Sequence, residues 1–109
     1  MKLVNKGVLA DFEKERKKVL GGAKSCAVVK FFNPTGAATW FCSEFDEKTG
    51  EFFGYANLGD DTCAELGYIS LQELESFKGL MGLGIERDIY FEAGKVTMEE
   101  VVKKYGRGF

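Results

Sequence analysis

The sequence predicts an α+β domain: an antiparallel meander of four to five strands, with an N-terminal helix, a short middle helix and a short C-terminal helix. Three observations predict it. Ten Phe, four Tyr and one Trp stand against a single Pro among 109 residues, and flat rings pack well on a pleated surface. The turn signals Asn33-Pro34-Thr35-Gly36 and Asp46-Glu47-Lys48-Thr49-Gly50 punctuate runs of strand-forming residues. Two capping boxes, Ser70-Leu71-Gln72-Glu73 and Thr97-Met98-Glu99-Glu100, mark helix starts further on.

In chain order, the first helix is expected from about Asn5 to Leu20. Leu9, Phe12, Val19 and Leu20 recur near helical spacing, and the aliphatic stem of Arg16 fills the same side. Asn5 suits the N-cap, and Gly21-Gly22 suits the stop. The run EKERKK (Glu13 to Lys18) reads as the solvated face. Strands are expected at about Ser25 to Phe32, Thr39 to Phe45, Glu51 to Leu58 and Glu65 to Ile69, with a loop at Gly59-Asp60-Asp61. The middle helix runs from Leu71 to Phe77. Gly79, Gly82 and Gly84 then break the chain in GLMGLG. Asp88 to Glu92 is a last extended segment, the final helix reaches about Tyr105, and the tail from Gly106 to Phe109 frays.

Tight hairpins would set the faces of the sheet. Ala27, Val29, Phe31, Trp40, Cys42, Glu44, Phe53 and Tyr55 fall on one. Val28, Lys30, Phe32, Phe41, Ser43, Phe45, Phe52 and Leu58 fall on the other. A slip of one residue reverses a strand. Both faces are apolar and the helices are few, so aromatic surface is left for a partner.

The length fits one domain, residues 1–109, with a single core. Hydrophobic residues at 45% and charged residues at 29% mark a globular chain. A net charge of −2 argues against a general nucleic-acid binder, which carries a basic excess. There is no His, so the commonest general base and neutral metal ligand are missing. Cys26, Cys42 and Cys63 have no zinc spacing and read as reduced, buried thiols. No apolar run approaches the ~20 residues of a membrane span. A soluble, cytoplasmic protein without membrane contact is expected.

Few residues carry recognisable chemistry. Glu44, beside aromatics on the central strand, is a candidate acid/base or charged anchor, against a plain reading as a strand-end Glu paired with Lys30 or Arg87. Glu86-Arg87-Asp88 suits a charged edge strand, and Arg87 can hold a carboxylate in a two-bond fork. Asp60, Asp61 and Glu65 lack the alternation of a calcium loop. GLMGLG lacks the phosphate-loop pattern. Trp40 with Phe31 and Tyr55 offers a stacking platform for single-stranded nucleic acid, but flanking basic residues are sparse. No catalytic residue, metal or cofactor is expected.

The segments KFFNP (Lys30 to Pro34), WFCSE (Trp40 to Glu44), FFGY (Phe52 to Tyr55), ELGYISLQELE (Glu65 to Glu75) and Glu86-Arg87-Asp88 together resemble a family called domain of unknown function 2958. The resemblance spans Lys30 to Glu92, and the terminal helices match it only in kind. It implies a small bacterial protein of phages and mobile elements. It also implies Trp40, Glu44, Glu65, Tyr68, Glu86, Arg87 and Asp88 as candidate binding residues. The expected function is a non-catalytic protein-interaction module, an accessory of a mobile element, with a protein partner that includes a second copy among the candidates. The alternatives are a ligand binder or enzyme using Glu44 and Arg87, and a single-strand nucleic-acid binder.

Overall fold

A computed structural model describes residues 2–18, 24–59 and 64–105. Its elements are α1 (Lys6–Arg16), β1 (Val29–Phe32), β2 (Thr39–Asp46), β3 (Glu51–Asn57), β4 (Glu65–Ser70), α2 (Leu71–Ser76), a 3₁₀ turn (Leu80–Gly82), β5 (Glu86–Arg87) and α3 (Met98–Tyr105). The five strands form one antiparallel sheet in the order β4-β3-β2-β1-β5. The α+β architecture is the expected one, with the first four strands in a meander.

Asn5 caps α1, its side chain accepting a hydrogen bond from the Val8 amide at 2.9 Å. The helix buries Val8, Phe12 and Glu15. The charged run is therefore not wholly solvated. Glu15 turns inward, while Arg16, expected on the apolar side, is exposed and paired with Glu13. Val19, Leu20 and the Gly21-Gly22 stop lie outside the described residues, as do Asp60, Asp61, Cys63 and the tail.

Ser25 to Val28 does not belong to the first strand. Ala27 donates to Val96 O at 2.8 Å and accepts from the Gly94 amide at 3.0 Å, and Met98 donates to Ser25 O at 2.8 Å. Ser25 to Ala27 pair with the segment before α3 while Val28 donates to Cys42 O at 2.8 Å, and four residues remain for β1. The last extended segment also shifts. β5 is Glu86–Arg87, and Asp88 to Phe91 forms a turn closed by the Phe91 amide on Asp88 O.

The faces differ from the hairpin estimate. Phe41 pairs with Tyr55 and Cys42 with Gly54, and a β-bulge at Ser43 then sets Glu44 opposite Phe53. One extra residue flips everything beyond it. Trp40, Cys42, Phe45 and Phe52 therefore share one face, and Phe41, Glu44, Phe53 and Tyr55 share the other. The first face packs on α1 and α2, in a core of Val8, Phe12, Phe31, Cys42, Phe52, Ile69 and Leu74. Phe12, Phe45 and Phe52 meet there with ring centroids 4.6–5.9 Å apart, a spacing that adds to burial. The second face packs on α3, in a smaller core of Ala27, Phe41, Tyr55, Met98 and Val101. The helices cover the sheet in two places, not one.

Candidate functional site

The candidate residues fall into three places. Trp40 is half-buried beside the larger core. Leu58, Leu74, Phe77 and Ile85 join it around an open groove of about 430 Å³, with Asn33, Ser70 and Glu73 as its polar edges. Glu44 is exposed and borders a second groove of about 720 Å³, between α1 and the end of β2. Tyr68 borders both and stacks edge-on against Phe53 at 5.6 Å. The structure thus brings Glu44 and Tyr68 to one groove, and Trp40 and Tyr68 to the other.

Glu86, Arg87 and Asp88 lie at the opposite edge of the sheet. Arg87 pairs in register with Phe31, and Phe31 pairs with Trp40. Glu44 is four residues further along β2 and on the other face, so Glu44 and Arg87 do not share a surface within one chain. Arg87 donates to the carbonyls of Lys2 and Leu3 at 2.9 and 3.0 Å, which pins the N-terminal segment to β5. Asp88 faces Lys30 at 3.7 Å, and its carboxylate accepts from the Tyr90 amide. Glu86 is half-buried beside Phe32. The stacking platform is not formed: Phe31 is fully buried, and Tyr55 is buried on the face opposite Trp40.

The two described thiols, Cys26 and Cys42, are poorly placed for chemistry. Burial pushes the Cys42 thiol far above its ordinary range. Burial, followed by the nearby Glu15 carboxylate, pushes Cys26 up as well. A thiol so shifted is a weak nucleophile at neutral pH. Among the described residues no group of His, Cys, Asp or Glu is arranged to hold a metal ion, and no helix is long and apolar enough to cross a membrane.

The most unusual surface escaped the sequence reading. The loop leaving the groove at Phe77 and rejoining it at Ile85 holds Leu80 at 71% and Met81 at 88% exposure. Met81 has φ 59°, ψ 23°, a left-handed conformation that costs a residue with a Cβ about 1–2 kcal/mol. The signal was available in GLMGLG, where large apolar residues sit among glycines in a position that loops ordinarily fill with polar ones.

Neither a curated protein nor a solved structure matches the chain. The model of one family, described as protein of unknown function (DUF2958), matches residues 5–104. That range takes in α1 and nearly all of α3 together with the sheet, the grooves and the β5 edge, so nearly the whole described fold is the family's unit: the chain belongs to the DUF2958 family.

Proposed function

We propose that this protein is a non-catalytic interaction module that docks a protein partner on the Trp40 groove and the Leu80-Met81 loop. The observation that carries the reading is Met81. An apolar side chain held almost fully in water, on backbone that disfavours it, runs against folding preference twice. Strain of this kind accumulates where a binding surface needs it. Leu58 and Phe77 line the groove and are exposed, and Leu80, Met81 and Leu83 are exposed in the loop that joins its lining residues Phe77 and Ile85; single exposures are ordinary, whereas several along one connected stretch mark an interface. Trp40 supplies the half-buried aromatic anchor that interfaces favour. An accessory role in a phage or mobile element, implied by the resemblance, is compatible with such a module.

The test places a photo-crosslinking residue at Met81 and, in a separate variant, at Lys14 on the exposed side of α1. One protein crosslinked at Met81, not at Lys14, and lost on Leu80→Lys supports the reading. Equal crosslinking at both positions, or crosslinking that survives Leu80→Lys, would refute it.

A further inference from the structure

We propose that β4 is a self-pairing edge: two copies of this chain join their β4 strands antiparallel about Tyr68, forming one sheet across a two-fold axis. The hydrogen-bond pattern of the sheet fixes which groups are available. Leu71 donates to Gly50 O at 2.9 Å, and bonded pairs alternate along an antiparallel ladder. Glu65, Gly67 and Ile69 therefore spend their main-chain groups on β3. Leu66, Tyr68 and Ser70 turn theirs outward. Ser70 also caps α2, its side chain accepting from the Glu73 amide at 3.2 Å, and its amide is left for a partner.

The two sheet edges are unequal. β5 is two residues long and runs straight into a turn, which leaves little to pair with. β4 runs for six residues, ELGYIS. Edge strands are commonly protected by Pro, Lys or a bulge. β4 contains no Pro or Lys, and its register with β3 is unbroken. The side chains beside its outward groups are apolar and exposed, Leu66 at 41% and Tyr68 at 77%. A Cβ on Gly67 would meet nothing within 4 Å, so the other face of the strand is open at its middle, while Ile69 beside it is buried in the larger core.

The occupant follows from the order of residues. Antiparallel pairing about Tyr68 sets Tyr68 against the partner copy's same residue, and Leu66 against Ser70. It gives about four main-chain hydrogen bonds and a cross-strand tyrosine pair. Glu65 is the strand's one charge, and this register places it opposite Leu71, so like charges do not oppose each other. The edge is thus complementary to itself, the requirement of a two-fold contact. The edge adjoins the Trp40 groove through Tyr68 and Ser70, but the two readings are told apart by their tests: self-association read by sedimentation, and a heterologous partner read by crosslinking at Met81.

Sedimentation velocity over a wide concentration range tests it, with Tyr68→Lys, Tyr68→Glu and their equimolar mixture. Tyr68 is exposed, so both variants fold. The wild type is expected to dimerise, each variant to be monomeric, and the mixture to recover a dimer because Lys meets Glu across the axis. In the wild type, amide exchange at Leu66, Tyr68 and Ser70 slows with rising concentration. A wild type that stays monomeric throughout overturns the proposal and leaves the edge to a strand of another sequence. A single-charge variant that still dimerises, or a mixture that does not, overturns it as well.

Discussion

Glu15 is a carboxylate almost fully shielded from water, and its surroundings explain why the fold keeps it there. One oxygen accepts from the Cys26 amide at 2.7 Å, and the other meets Lys18 at 2.9 Å. The residue therefore stitches α1 to the lead-in of β1. Glu15→Ala leaves the partly buried Cys26 amide without its acceptor, a loss towards the lower end of the about 1–3 kcal/mol that an unpaired buried donor costs. Denaturant unfolding should show that loss, whereas Lys14→Ala, on the exposed side of the same helix, should show almost none. Gly54 is the other residue with no substitute. A Cβ there would overlap the Phe41 carbonyl oxygen and stand 2.8 Å from Cys42 Cα. Gly54→Ala should destabilise by about 1–3 kcal/mol, towards the upper end because backbone cannot swing aside. Neither role was legible in the sequence. Glu15 sits in a charged run whose neighbours are solvated, and its partner amide comes from beyond the helix. Gly54 looked like an ordinary glycine of the FFGY strand.

At the scale of elements, the capped helices were legible because a capping box is local chemistry. The Glu100 carboxylate accepts from the Thr97 amide and hydroxyl at 3.0 and 3.1 Å. Those bonds favour the charged form and hold Glu100 below its ordinary pKa. A carboxyl depressed in the folded state stabilises above its unfolded value and loses that contribution as the pH falls through its folded one. The advantage of wild type over Glu100→Gln should therefore be present at neutral pH and vanish in acid. Melts across that range check it, and an advantage that persists at low pH contradicts it. The loop of Met81 behaves differently. Met81→Gly removes the left-handed penalty while adding chain entropy, so stability should stay level or rise by up to about 1 kcal/mol. A clear loss of stability would show that Met81 packs on something. The strand faces were the least legible element, because the bulge at Ser43 has no signature in WFCSEFD. Ser43 is buried and its hydroxyl donates to Phe53 O at 3.4 Å, a contact that depends on β3 already being in place.

For the whole molecule, β2 and β3 are the shared wall between two cores that never touch. Phe52 serves the core under α1 and α2, and Val101 the core under α3. Phe52→Ala should cost about 3–5 kcal/mol and Val101→Ala less, since it removes fewer atoms. Because both cores rest on the same strands, both variants should still melt in a single transition by tryptophan fluorescence and by circular dichroism. Separate transitions would show that the α3 side unfolds alone. The four-strand meander was readable because its turns are local, whereas β5 was misplaced because its pairing with β1 joins residues about half the chain apart. The contact of Arg87 with Lys2 and Leu3 has a temporal consequence. As the chain leaves the ribosome, Leu3 emerges well before Arg87 and cannot be locked in position until that residue is out. The larger core stays ajar while the whole meander between them is made.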